Sequence, residues 1–214
     1  MNIKNNSYVI SYIAFYETII NNLAIILFYK IKMNDNYTTI IELQKEFAKK
    51  IITYDDLNNV NNVCGIDVSY KELNAFCSAV IVNKNTLESI EIANEKSTVK
   101  YPYIPGLFML KEAKPLLKIL RLLKKSFDVL LIDGHGILHP RKCGLACYIG
   151  IIIDKPTIGV AKNLLCGSIL ENNYIEYNKK ILGYRIRKNN KKDIYVSVGH
   201  KISLETAVNI VINL

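Results

Sequence analysis

The sequence predicts a mixed α/β sheet covered by helices, and three observations point to it. β-rich runs follow one another between residues 63 and 92. Helical and strand patterns then alternate from residue 107 to the C-terminus. One of those later strands, residues 127–132, is apolar almost without interruption, as a strand buried on both faces must be.

In chain order, residues 38–52 place Ile40, Ile41, Leu43, Phe47 and Ile51 at three- and four-residue steps, the spacing of one face of a helix. Residues 63–70 and 76–82 are short β-rich runs separated by Lys71-Glu72-Leu73-Asn74, and residues 87–92 alternate Leu or Ile with Glu or Ser. Three consecutive antiparallel strands result. A turn containing Pro102 and Pro105-Gly106 precedes residues 107–125, where Leu110, Leu117, Ile119, Leu120, Leu122 and Leu123 make a thoroughly apolar helix. Residues 127–132 end at Asp133-Gly134 as a central strand. A helix over 143–153, a central strand over 157–160, a hairpin of 181–187 with 194–198 and a closing helix over 204–212 complete the chain.

With 214 residues and half of them hydrophobic, the chain suits one domain with a sizeable core. Residues 33–214 are expected to form it, and residues 1–32 an N-terminal extension. Residues 8–30 approach a membrane span in length, but Glu17 and Asn21-Asn22 lie at the middle, where a charge costs about 2.5–3.5 kcal/mol. Lys4 is a thin basic start and no small-residue cleavage site follows, so a signal peptide fits poorly. Met33 opens a more polar sequence, and residues 1–32 read as a dispensable segment or a mis-assigned start rather than an anchor. Membrane attachment is not expected, and a cytoplasmic monomer is.

The five cysteines, Cys64, Cys77, Cys143, Cys147 and Cys166, are odd in number and form no Cys-x-x-Cys pair. Neither a disulfide framework nor a zinc site is indicated, which leaves buried thiols in a reducing compartment. The formal charge of +9 suits a polyanionic partner. Charge alone does not decide the matter, because abundant Asn, Ile, Lys and Tyr can equally reflect the nucleotide composition of a gene.

Three carboxylates fall at informative places: Asp67 within the first strand, Glu112 one turn into the long helix, and Asp133 at the carboxyl end of the central strand. An acid in a strand otherwise apolar at Cys64, Ile66 and Val68 must neutralise or find a cation. A divalent metal answers that need. Oxygen-only ligation favours Mg²⁺ or Mn²⁺, which can activate water and neutralise charge on a phosphate. Taken singly, each acid could as well be a capping or salt-bridged carboxylate.

Five segments together are specific: Cys64-Gly65-Ile66-Asp67-Val68-Ser69-Tyr70; Pro102-Tyr103-Ile104-Pro105-Gly106 followed by Glu112; Asp133-Gly134-His135-Gly136-Ile137-Leu138-His139-Pro140-Arg141; Pro156-Thr157-Ile158-Gly159-Val160-Ala161-Lys162; and Ser197-Val198-Gly199-His200-Lys201. In content and order they resemble the successive motifs of the endonuclease V family. The resemblance covers residues 40–214 and implies an α/β, ribonuclease H-like mixed sheet with flanking helices.

Carried over motif by motif, the resemblance implies that Asp67, Glu112 and Asp133 hold Mg²⁺, with Mn²⁺ able to substitute. His200 would edge the same site, as water positioner or leaving-group stabiliser, and Lys162 would meet a phosphate as a point charge. Phe108, Gly134, His139 and Leu165, with Gly106, would form a pocket for a rotated-out base. Glycines at 106, 134 and 136 would let backbone approach that ligand. Tyr103, stiffened by Pro102 and by Ile104-Pro105, would be the wedge that fills the gap the base leaves. Two departures stand out: Lys111 occupies a position where many relatives have Arg, and no proline- and arginine-containing tail follows the last helix.

The resemblance further implies a DNA-repair endonuclease, hydrolysing the second phosphodiester bond 3′ to deoxyinosine, with deoxyinosine-containing DNA as partner. The alternative is an inosine-specific endoribonuclease acting on inosine-containing RNA. A non-catalytic lesion binder is the reading outside the class, and three acids facing phosphate argue against it.

Overall fold

The structure is a computed structural model that describes residues 37–99, 104–187 and 192–214. Pro102, Tyr103 and the extension 1–32 therefore lie outside the described residues. The chain divides into two compact units, Met1–Leu43 and Gln44–Leu214, within the first described helix, α1 (Thr38–Ala48). In the first unit, the amides of Ile40 and Ile41 donate to the Tyr37 carbonyl and start α1. All that follows concerns the second.

The second unit is built on a nine-stranded sheet. β1 (Asn62–Lys71), β2 (Asn74–Asn83) and β3 (Ser89–Thr98) form an antiparallel meander. α2 (Met109–Leu120) leads to β4 (Val129–Asp133), and α3 (Leu145–Ile153) connects β4 to β5 (Thr157–Ala161). β6 (Ser168–Ile169), β7 (Tyr174–Tyr177), β8 (Lys180–Ile186) and β9 (Ile194–His200) follow, then α4 (Leu204–Ile212). The order across the sheet is β3-β2-β1-β4-β5-β9-β8-β7-β6. β1, β4 and β5 are parallel and every other pair is antiparallel.

Burial follows sheet position. Val129, Leu130 and Ile132 of β4 and Val196 to His200 of β9 are buried whatever face they occupy, except that Gly199 has no side chain to bury. β3, at the edge, alternates half-buried and exposed residues. α2 packs on the meander, α3 on β4, β5 and β9, and α4 on β8 and β9.

The expected elements are present with shifted ends. The long helix stops at Leu120 rather than residue 125, and Pro115 sits inside it, where it removes one backbone donor. The third strand starts at Ser89 rather than 87, because Leu87 turns with φ +59° and the Asn83 side chain accepts the amides of Asn85 and Thr86. β6 and β7 were not expected; a two-residue and a four-residue strand are too short to show a period of two.

Candidate active site

In the register of β1 with β4, Ile66 lies beside Ile132, so Asp67 and Asp133 come next, level on adjacent parallel strands. Neighbouring strands lie about 4.8 Å apart, which brings the two carboxylates to one place at the carboxyl end of the parallel core. β5 runs parallel to β4 with Val160 opposite Asp133, so Lys162, two residues on, reaches back. Its Nζ lies 2.5 Å from Asp133 Oδ2.

Glu112 comes from the first turn of α2. The amide of Leu107 donates to the Ile104 carbonyl and that of Glu112 to Phe108, so the Pro105-Gly106 turn sets the start of the helix. The Glu112 carboxylate is buried, and Tyr70 of β1 donates its phenol to Oε1 at 2.9 Å. Lys111 Nζ sits 3.8 Å over the Tyr70 ring. Burial pushes the Glu112 carboxyl up to about 7 against the pull of the Tyr70 bond, and the charges of Asp133 and Asp67 raise it further. Burial and the Glu112 charge push the Tyr70 phenol up in turn. The Lys162 ammonium is stabilised first by its bond to Asp133, with Asp67 and Glu112 adding to it. Three acids and one cation thus share a single electrostatic environment.

Could these acids hold a divalent ion? Among the described residues, no three His, Cys, Asp or Glu side chains stand together as a ready-made cation cage. The donor chemistry nonetheless fits a hard cation: every donor is a carboxylate oxygen, and Glu112 is buried beside two like charges with too little positive charge to offset them.

A pocket opens beside Asp133, and its lining includes Gly106, Phe108, Gly134, His139, Lys162 and Leu165. Its Gly106 wall is clamped. The Gly106 carbonyl accepts from Gln44 Nε2 at 3.2 Å, Arg141 Nη2 at 2.5 Å and His139 Nε2 at 3.2 Å. Gln44 Oε1 accepts from Arg141 Nε, and the Arg141 amide donates to His139 Nδ1. That last bond makes Nδ1 the acceptor and Nε2 the proton carrier. Burial, with the Arg141 charge, holds His139 down to about 4. His135 pairs Nε2 with the Asn163 carbonyl at 3.0 Å, and its Nδ1 is buried with no hydrogen-bond partner among the described residues.

Of the residues expected at the site, the structure brings together Asp67, Glu112, Asp133 and Lys162, with Gly106, Phe108, Gly134, His139 and Leu165 in the adjoining pocket. Ile104 and Pro105 lead into the Gly106 turn, half-buried and exposed respectively. His200 is a correction. It is the last residue of β9, which runs antiparallel to β5, so it lies level with Thr157 at the amino end of the parallel core. There its Nδ1 accepts the Ile52 amide, and Nε2 lies 3.8 Å from Asp154, at the opposite end of the strands from Asp133. Burial lowers its pKa, and it shares Asp154 with Lys201.

Gly136 has a packing role as well. A Cβ there would stand 1.9 Å from the Val198 carbonyl oxygen, so the missing side chain lets this loop lie against β9. Gln44 and Tyr70 were not expected as site residues. Gln44 had a signal, a polar residue in the apolar stripe of Ile40, Ile41 and Phe47; Tyr70 had none beyond its place in a motif.

Level carboxylates on adjacent parallel strands, a third acid on a covering helix and a lysine among them define a nuclease on a ribonuclease H-like sheet. A family model described as Endonuclease V matches residues 45–214. Endonuclease V of Dictyoglomus thermophilum is 40% identical over 184 residues, covering 82% of this chain and 81% of that one. The crystal structure of Endonuclease V from Streptomyces avermitilis superposes with a TM-score of 0.74 at 29% identity, over 81% of each chain. That of Ciona intestinalis Endonuclease V, in complex with a 24mer DNA containing an inosine followed by a ribo-adenosine, gives 0.75 at 28% identity, over 84% of this chain and 90% of that one. The chain belongs to the endonuclease V family. It is therefore a nuclease, of a family whose members generally depend on a divalent metal. Among the described residues no helix is long and apolar enough to cross a membrane; residues 8–30 lie outside them.

Proposed function

We propose that this protein is a cytoplasmic, monomeric DNA-repair endonuclease that hydrolyses the second phosphodiester bond 3′ to deoxyinosine, using Mg²⁺ with Mn²⁺ as substitute. The observation that carries this reading is the shared electrostatic environment of Asp67, Asp133, Glu112 and Lys162 in a chain of this family. The inosine-containing DNA bound by the Ciona relative supports the substrate.

Asp67, Glu112 and Asp133 would hold the cation. A bound divalent ion makes water a nucleophile near neutral pH and neutralises charge on the scissile phosphate. Lys162 gives its proton-bearing Nζ to a phosphate oxygen in place of Asp133, and Tyr70 keeps the Glu112 carboxylate oriented. The cut leaves a 3′-hydroxyl. Gly106, Phe108, Gly134, His139 and Leu165 enclose the rotated-out base, while Tyr103, held by Pro102, Ile104 and Pro105, occupies the gap.

A second reading, an inosine-directed ribonuclease, is favoured by one observation: the strand bound by the Ciona relative carries a ribonucleotide directly after the inosine. Matched DNA and RNA oligonucleotides, with inosine or adenosine at one position, separate the two readings when incubated with Mg²⁺. A nick at the second bond 3′ to inosine in DNA, absent from the adenosine control and from metal-free samples, is the expected result. Cleavage of RNA alone would replace the first reading by the second, and cleavage of neither would end both.

A further inference from the structure

The β1–β3 meander has two unlike faces. Cys64 and Ile66 of β1 and Cys77, Ala79 and Ile81 of β2 are buried, and on their side Glu95 of β3 pairs with Lys118 of α2. The alternating residues on the other side are Asp67, Ser69 and Lys71 of β1, Phe76 of β2, and Asn94, Lys96 and Thr98 of β3, all exposed. In the register, Asp67 lies opposite Ser78, which lies opposite Asn94; Ser69 lies opposite Phe76, which lies opposite Lys96. Around the cross-strand rows from Asp67 to Lys71, this face holds Asp67 as its one acid and Lys71 and Lys96 as its cations.

Phe76 is the telling residue. It is 41% exposed in mid-strand, and Lys96 Nζ stands over its ring, 5.5 Å from the centroid, so an exposed aromatic surface and a cation lie together on this side of the sheet. As diagonal neighbours across two strands, Phe76 and Asp67 have α carbons about 7–8 Å apart. At about 3.4 Å of axis per nucleotide of a duplex strand, that is about two nucleotides.

We propose that the open face of β1–β3 beside Asp67 is a track for the nucleic-acid strand being cut, on which Phe76 stacks a base about two nucleotides from the scissile phosphate and Lys96 pairs with a neighbouring phosphate. This rests on the nuclease reading above. Nucleic acid is the occupant because the face is continuous with the acidic site, is basic apart from Asp67 itself, and joins an exposed ring to a cation, the combination by which single strands are held without sequence preference. The opposite stretch of the same face, at Val80 and Ile92, is apolar and carries no cation, so the strand leaves Asp67 toward Lys71.

The test uses the full chain, without divalent cation, and inosine-containing DNA strands carrying 2-aminopurine at successive positions on either side of the inosine. Quenching at one or two adjacent positions is expected. Phe76→Ala should abolish it there and weaken binding about five- to a hundredfold. Phe76→Tyr should restore both. Lys96→Ala should lower the slope of log affinity against log salt by about 1. Quenching and affinity at the wild-type value in Phe76→Ala would overturn the proposal. So would a change in concentration-dependent self-association in place of the binding loss, which would make the face a protein contact. Should Phe76→Ala fold poorly, Phe76→Tyr and Lys96→Ala still read the track. Wild-type cleavage of the same strands with Mg²⁺ is scored separately: a protein that quenches but does not cut keeps the track and loses the nuclease reading. One that cuts without Phe76-dependent quenching does the reverse.

Discussion

Asp133 holds one cation, Lys162, and removing its carboxylate changes two things at once. On the proposed function a metal ligand is lost, and so is a negative charge beside phosphate. Asp133→Ala should therefore cut at least about a thousandfold more slowly, a loss of about 4 kcal/mol in transition-state stabilisation, while binding an inosine strand as tightly as wild type. Single-turnover cleavage and equilibrium binding, measured side by side, check this; cleavage at the wild-type rate would remove Asp133 from the mechanism. His139 gives a prediction about pH. Its folded pKa, about 4, lies below the ordinary 6.5, so folding favours the neutral ring. That contribution is complete above pH 6.5 and is lost as pH falls through 4, which makes it worth up to about 3 kcal/mol across the window. Urea midpoints of wild type should fall between pH 7 and pH 4 more steeply than those of His139→Gln. Equal slopes would mean that the ring is not held neutral. Asp67 and Asp133 stood out in the sequence because an acid in or at the end of an apolar strand needs a reason, and Glu112 by its place one turn into the long helix. Tyr70 and Gln44 were not, since their partners lie 42 residues away at Glu112 and 97 away at Arg141.

Among the elements, β5 decides where Asp133 stands. A Cβ at Gly159 would meet Gly136 N at 2.4 Å and Gly134 O at 2.7 Å, so the loop that leaves Asp133 lies directly on the strand. Gly159→Ala must push that loop away, at a cost of about 1–3 kcal/mol and most of the activity. Gly65, in β1, is the contrast, with nothing within 4 Å of where its Cβ would be. Gly65→Ala should raise stability by about 0.4–1 kcal/mol through the unfolded chain, or about 1–4 °C in melting temperature. A lower melting point for Gly65→Ala would show that the open space is filled in solution. His200 illustrates what motif order leaves out. A motif fixes which strand carries a residue, whereas the direction in which that strand is laid decides which end of the sheet it reaches. Because β9 pairs antiparallel with β5, its end lies level with the beginning of β5.

At the scale of the whole molecule, the mixed sheet and its flanking helices were legible from the change of pattern along the chain, but the extra hairpin strands were not. Every matched motif lies within residues 45–214, so a protein beginning at Met33 should cleave inosine strands at the rate of the full chain. A folded but inactive product would make residues 1–32 functional. The clamp on Gly106 bears on selectivity. A carbonyl oxygen has two lone pairs, and this one already meets three donors, while both nitrogens of His139 are engaged. On the proposed function that wall is chemically mute: it would size a base but could not ask whether the purine carries an amino group or a keto oxygen. Fit alone separates such near-isosteres by about 10–200-fold, whereas a buried partner left unpaired by the wrong base separates them by about 10⁴ or more. On the proposed function, discrimination beyond the lower figure has to come from other residues that line the pocket, among them Gly134, Asn163, Leu164 and Leu165.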